Sequence, residues 1–438
     1  MVTDTSSDGA EPGKGWRYYL QEKVLVLFFL GFSAGLPFPL VYSTLSAWLK
    51  EADVNLSTIS TFAWLGFAYS FKFVWAPLVD SVRLPLLTRL LGRRRGWMLL
   101  AQLSIGTSLV VLAGIDPKQN IEVFALAALA VAFSSATQDI VIDAYRIECA
   151  ETRMQGVLAA AYQYGYRVAM LVSMAGALAL AEYAPWSATY TAMAGCMIIG
   201  ILTTLRCKEP DVPAASATYA GRSAAQRVVQ WFTHAVAEPF SDFFMRFGRF
   251  AIVLLAFISL YRLSDYVLGI LANPFYLDIG YSKLQVAGIA KVYGLWITLF
   301  GVGAGGWAVV RFGVARCLVM ATALIASTNL FFAAMALVGP EPWMLIVTIS
   351  ADNLAQGFSG TVLIAYLSSL TNLSFTATQY ALLSSFMSIL GKLTAGYSGN
   401  VQESIGWLGF FLYAAALGVP AIVLSLVVAR RHVRLIRS

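Results

Sequence analysis

The sequence predicts an all-α membrane protein of twelve transmembrane helices in two six-helix bundles. Three observations predict it. Of 438 residues, 59% are hydrophobic and only 12% are charged, about half the roughly 25% charged share of a soluble domain. The apolar residues gather into runs of about 20, the length that crosses a bilayer core. The basic residues alternate between the two sides of those runs.

The twelve runs are 24–48, 56–78, 97–115, 123–144, 156–181, 185–205, 249–272, 284–309, 315–337, 344–367, 376–398 and 406–429. Most connections are short. The long one, 206–248, divides the chain into an N-terminal bundle (24–205) and a C-terminal bundle (249–429), with a polar tail at 1–23 and a basic tail at 430–438. Of the 30 Lys and Arg residues, 22 lie at the termini, in the loops after even-numbered spans or at the adjoining span ends. Only Lys50, Lys118 and Lys283 follow odd-numbered spans. The positive-inside rule then places both termini and the long loop in the cytoplasm. The GRRR run at 92–95 is the strongest single marker.

The net charge of +7 is therefore a topology signal and a contact for anionic lipid at the cytoplasmic face. It does not point to nucleic acid. In the long loop, GRSAAQRVVQWFTHAVAEPF (221–240) sets Val228, Val229, Trp231, Phe232 and Val236 on one face of a short surface helix. The polar first 23 residues and the long apolar run after them do not fit a cleavable signal peptide. Cys149, Cys196, Cys207 and Cys317 show no pairing or metal-ligand spacing, and His234 and His432 lie in polar regions, so neither metal nor cofactor is expected. No phosphate-binding G-x-x-x-x-G-K-S/T loop and no clustered nucleophile set is present, which argues against an enzyme. A monomer is expected.

The halves echo each other. Span four ends DIVIDAY (139–145) and span ten ends GTVLIAY (360–366); the spans that follow open QGVLAAAYQYGYR (155–167) and QYALLSSFMSILGK (379–392). Gly360 and Ile364 stand where the first half has Asp139 and Asp143. Six plus six spans with a long joint resemble the major facilitator architecture of alternating-access carriers. GFSAGLPFP (31–39) predicts a kinked or unwound first span. GVGAGG (301–306) allows a neighbour to approach the eighth closely.

Ionisable side chains inside spans are costly and need a partner or a wet cavity. The set is Lys72, Asp139, Asp143, Arg167, Arg262, Asp265, Lys291, Asp352 and Lys392. Asp80, Arg83 and the GRRR run resemble the signature loop between helices two and three of major facilitator proteins, a gating latch. Asp143 lies at the rim beside Arg146 and reads mainly as part of the gate. Asp139 lies one turn deeper, beside Gln138, and fits a cavity or coupling role. An Asp139–Arg167 bridge requires long reach or tilt, because their depths differ by about 8 Å at 1.5 Å per residue; a water network serves equally. Arg262 and Asp265 share a face at i,i+3, as do Asp352 and Gln356 at i,i+4. Mixed signs argue against an acid-ringed cation channel. They suit a bulky solute bearing carboxylates and sugars, with Lys72, Gln138, Arg167, Arg262, Lys291, Asn353, Gln356, Tyr162 and Tyr261 as cavity candidates. Proton coupling needs a carboxylate whose protonation can switch with a basic partner; Asp139, Asp265 and Asp352 qualify.

GFSAGLPFPL, FAYSFKFVWAPLVD, GRRRGW, SSATQDIVIDAYR, YGYRVAMLVS, LYRLSDY and FTATQYALLSS together resemble the AmpG-type muropeptide permeases of Gram-negative inner membranes. The resemblance implies proton-driven import of anhydromuropeptides (GlcNAc-1,6-anhydroMurNAc with or without stem peptide) for cell-wall recycling and β-lactamase induction. It marks Lys72, Asp80, Gln138, Asp139 and Asp143 by motif, with Arg167, Asp265 and Lys291 in motif-like settings. A siderophore or acyl-CoA-like cargo on the same scaffold, or a lipid-linked flippase, is the alternative.

Overall fold

Hydrocarbon holds no water for a free amide or carbonyl, so a spanning segment must close its backbone hydrogen bonds internally. The computed structural model describes residues 21–151, 154–211, 237–282, 285–395 and 397–437, and every regular element among them is helical.

Span one is α1 (Glu22–Gly35), α2 (Pro37–Leu40) and α3 (Ser43–Glu51). The predicted interruption falls just after the prolines, where Tyr42 takes φ −127° and ψ −97°. Predicted span two is a chain of short pieces: α4 (Leu56–Thr61), a 3-10 turn Phe62–Leu65, α5 (Gly66–Ser70), a 3-10 turn Lys72–Val74 and α6 (Ala76–Ser81). The rest of the first half is α7 (Leu87–Leu91), α8 (Arg93–Ala113), α9 (Ile121–Glu148), α10 (Gln155–Leu171), a π-turn Val172–Gly176, α11 (Ala177–Ala181) and α12 (Trp186–Arg206).

The second half is α13 (Glu238–Phe247), α14 (Phe250–Leu260), α15 (Leu263–Asp278), a π-turn Val286–Tyr293, α16 (Gly294–Phe312), α17 (Val314–Val338), α18 (Pro342–Leu370), α19 (Thr376–Ala395) and α20 (Ser398–Arg437). A non-helical Gly406 (φ 67°) kinks α20 at the predicted start of span twelve. Residues 228–236 of the expected surface helix lie outside the described residues; the loop re-emerges as α13.

Nine helices among the described residues are long and apolar enough to cross a membrane. Predicted spans two, ten and eleven are not among them. Span two is broken into pieces. The long helix α18 carries Asp352, Asn353 and Gln356 in its middle, and α19 carries Thr376, Thr378, Gln379, Ser384, Ser385, Ser388 and Lys392. Polarity inside a span marks a helix that faces a wet interior.

Helices in lipid gain nothing from hiding apolar surface from one another, so close packing must hold them. Backbone contact between α1 and α10 supplies it. A Cβ at Gly31 or Gly35 would land on the carbonyls of Tyr162 and Tyr166, and one at Gly165 on the Phe28 carbonyl. The first-span glycines therefore serve packing, and the prolines that follow make the break. Gly301, Gly305 and Gly357 do the same for α16 and α18. Past the tight stretch, the π-turn leaves the Ser173 carbonyl free for the Thr44 hydroxyl of α3, at 2.7 Å. The two halves meet where α10 packs on α16 and α18, and where α19 packs on α5, the Lys72–Val74 turn, α6 and α9.

Replacing Gly165 with Leu should collide with main chain that cannot yield, costing at least about 1–3 kcal/mol and lowering the detergent melting temperature. Gly106, with open space around its Cβ position, is the control: Gly106→Leu should melt near wild type. Equal melting of the two variants would count against the contact.

Candidate functional site

The first cluster lies at the α6–α8 turn. Arg94 is 1% exposed, and two carboxylates surround it. Its Nη2 donates to Asp80 Oδ1 at 2.7 Å and to Glu148 Oε1 at 2.5 Å, and its Nε donates to Glu148 Oε2 at 2.9 Å. Arg93 Nη1 donates to the Asp80 carbonyl at 2.7 Å. Glu209 caps α8, accepting from the backbone N–H of Arg94 at 2.7 Å and of Arg95 at 3.0 Å. Gly92 permits this cap: it has φ 93°, and a Cβ there would strike the Glu209 side chain. Asp80 also reaches the other half, where its Oδ2 accepts from the Thr378 backbone N–H and hydroxyl, both at 2.8 Å. A carboxylate at the N-terminus of α19 is favoured by the free N–H groups and the helix dipole.

Of the expected gating group, Asp80 is in place. Arg83 is exposed and has no ion pair among the described residues. The working cation is Arg94, which the sequence reading places in the latch only as part of the GRRR run and does not single out. Glu148, Glu209 and Thr378 were missed; the one local signal was an acidic residue ending the apolar fourth span.

The second cluster lies at the C-terminal end of α9. Arg146 is fully buried. It donates to Ser368 Oγ at 2.7 Å, Gln155 Oε1 at 3.2 Å and Asp143 Oδ1 at 3.2 Å, and it sits 5.2 Å from the centre of the Tyr380 ring. Lys72 Nζ is 3.7 Å from the other Asp143 oxygen. The Asp143–Arg146 pair is thus formed and reaches into the second half.

One turn deeper, Asp139 Oδ1 is buried without a hydrogen-bond partner. Its charged neighbours are Lys72 and Asp143. Tyr69, Tyr162 and Tyr166 stand around it. Arg167 does not pair with Asp139: its charged neighbour is Arg262, across the gap between the halves. In the second half Arg262 Nε donates to Asp265 at 3.1 Å, and Gln356 Nε2 to Asp352 at 2.9 Å. Asp352 also feels Asp265 and Arg262.

Four of the expected cavity residues have the following places. Gln138 is fully buried and clamps α9 to α1, accepting from Ser33 Oγ at 2.9 Å and donating to the Ser33 carbonyl at 3.0 Å. Asn353 holds α18 to α16, accepting from Thr298 Oγ1 at 2.8 Å. Tyr261 is buried, with its hydroxyl on the Ser359 carbonyl at 3.1 Å. Lys291 is exposed on the second π-turn. The side chain of Lys392 lies outside the described residues.

Buried clusters of opposed charge in both halves, with a hydrogen-bonded seam between them, are what a carrier with a central polar path requires. The Major Facilitator Superfamily profile matches residues 24–395. The chain belongs to the major facilitator superfamily. Within it, the chain is related to AmpG-type transporters. It is 33% identical to the AmpG 4 transporter of Rickettsia felis over 402 residues, covering 91% of this chain and 95% of that one. It is 33% identical to the anhydromuropeptide permease of Escherichia coli K12 over 416 residues, covering 94% of this chain and 80% of that one. In fold it is similar to the proton:xylose symporter XylE (TM-score 0.66, 12% identity, 94% and 95% covered). It is likewise similar to the human organic anion transporter MFSD10 (TM-score 0.64, 14% identity, 95% and 100% covered). This superfamily member is a multi-pass transporter of the bacterial inner membrane and not an enzyme.

Arg94→Ala should leave Asp80 and Glu148 buried without their cation and cost about 3–5 kcal/mol, read as a lower melting temperature in detergent. Arg94→Ala melting like wild type would show that the two carboxylates do not depend on it.

Proposed function

We propose that this chain imports anhydromuropeptides (GlcNAc-1,6-anhydroMurNAc with or without a stem peptide) from periplasm to cytoplasm, driven by the proton gradient, for peptidoglycan recycling. The observation that carries the reading is the 33% identity to the Escherichia coli anhydromuropeptide permease along 94% of the chain. The polar residues between the halves suit such a cargo: cations for its carboxylates, and amides and tyrosines for its sugars.

The finer architecture of the proposal is two six-helix bundles with both termini in the cytoplasm. In this frame Asp80, Arg94, Arg146, Thr378 and Tyr380 lie at the cytoplasmic end. The contacts between halves engage α5, the Lys72–Val74 turn, α6, α9 and α10 on one side and α16, α18 and α19 on the other. Helices α2, α3 and α15 pack within their own halves. The arrangement suits a carrier closed to the cytoplasm and ready to take cargo from the periplasm. Asp80, Asp143 and Arg146 hold that gate, with Arg94 in the place expected of Arg83.

Charge balance gives a reason for proton coupling. Among the described side chains, and leaving aside the exposed Lys291, the interior cations Lys72, Arg146, Arg167 and Arg262 match the carboxylates Asp139, Asp143, Asp265 and Asp352 one for one. A cargo carboxylate makes this interior negative, and one proton restores neutrality. Asp139 is the best seat for it, because its buried oxygen has no hydrogen bond to lose. It also shares Lys72 with Asp143, so protonating Asp139 leaves that lysine to the gate. Asp265 and Asp352 are the other candidate carriers. Anionic lipid at the cytoplasmic face and a monomeric unit complete the reading.

Proteoliposomes with and without an inward pH gradient test it with labelled GlcNAc–anhydroMurNAc. Gradient-dependent accumulation is expected; movement of a siderophore or an acyl-CoA instead would overturn the cargo assignment. Asp139→Asn should abolish accumulation against a gradient while cargo binding survives. Full accumulation by Asp139→Asn would move the proton to Asp265 or Asp352.

A further inference from the structure

One stripe of α10 faces the second half. Gly156 lies against Val309 and Gly306. Gln163 Nε2 donates to Thr361 Oγ1 at 2.7 Å, and the Tyr164 hydroxyl donates to the Leu299 carbonyl at 2.8 Å. Arg167 continues that stripe, four residues after Gln163 and three after Tyr164. It has no ion pair among the described residues.

Arg262 comes from the other side. It sits at the break between α14 and α15, with φ −113° and ψ 17°. Among the described residues only its Nε is engaged, by Asp265 at 3.1 Å. The preceding residue, Tyr261, is fixed to the Ser359 carbonyl of α18 at 3.1 Å. Ser359 is two residues from Thr361, the residue that holds Gln163. One turn of α18 therefore brings both arginines to the same depth, one from each half. They repel each other, and no carboxylate is among the charged neighbours of Arg167. The nearby carboxylates serve Arg262 and not Arg167: Asp265 is ion-paired with Arg262, and Asp352, hydrogen-bonded to Gln356, also feels Arg262.

A guanidinium with no ion pair of its own, facing a second guanidinium, is costly in a membrane interior. The missing partner is an anion that arrives and leaves. A guanidinium presents a planar fork that matches a carboxylate, which an ammonium cannot do. We propose that Arg167 and Arg262 form a single receptor for one carboxylate of the cargo, so that the anion is gripped by both halves at once. The proposal rests on the anhydromuropeptide reading, in which a lactyl or peptide carboxylate is always present. It makes Arg167 and Arg262 specificity-determining: the neutral ester of the same sugar is rejected.

The test uses the purified full chain in detergent, with N-acetylmuramate and its methyl ester as probes and melting temperature as readout. Wild type should bind the acid roughly 10- to 100-fold more tightly than the ester, the range of charged hydrogen bonds. Arg167→Gln should lose that preference while melting, without ligand, at or above wild type, because it removes a half-buried charge that has no ion pair among the described residues. Arg167→Lys should keep part of it. Equal shifts by acid and ester in wild type, or no shift by either, would overturn the proposal; so would an intact preference in Arg167→Gln. Uptake of labelled GlcNAc–anhydroMurNAc separates the two readings. Preference without uptake sinks the cargo assignment and leaves the receptor. Uptake without preference does the reverse.

Discussion

A charge inside hydrocarbon must meet its counter-charge within the protein, and the rest of this structure is arranged around that requirement. Arg94 shows it most fully. One buried guanidinium needs Asp80 from α6 and Glu148 from α9, so three helices are fixed by one side chain. Glu209, at the start of the long connection, then closes the N-terminus of the helix that carries Arg94. Arg146 repeats the logic a short distance away with Asp143, and through it with Lys72.

The ion pairs among the described residues all lie within one half or the other. What crosses between the halves is different. Asp80 accepts from Thr378, Arg146 donates to Ser368, Gln163 to Thr361 and Tyr164 to a carbonyl. Each has a neutral partner on the far side. Parting the halves therefore exchanges hydrogen bonds for water, at about 0.5–3 kcal/mol each, and strands no buried charge. A seam made of ion pairs would carry a far higher barrier. Alternating access needs a seam that holds and also opens, and this division of labour provides it.

The helical fold was legible because apolar runs, basic loops and glycine–proline clusters act locally. Span four is longer than its apolar run (Ile121–Glu148 rather than 123–144) because its last turn is polar yet buried. The candidate site was legible in residue type more than in partnership. Asp143–Arg146 and Arg262–Asp265 lie three residues apart, and helix geometry alone predicts them. Asp80 with Thr378 is a contact across 298 residues, and Gln138 with Ser33 one across 105. No local pattern encodes such contacts. The same limit explains Arg167, whose sequence neighbour in depth was Asp139 but whose neighbour in space is Arg262.

The fifth span is joined to the first by backbone-to-backbone contact over Gly31, Gly35 and Gly165. Along that stretch neither helix can slide past the other, because there is no side chain between them to change rotamer. Just beyond it lies the Val172–Gly176 π-turn, whose loosened carbonyl rests on Thr44. A rod welded along one stretch and loosened just past the weld bends most easily at the loosened turn, and the Thr44 contact makes the last part of the first span follow it.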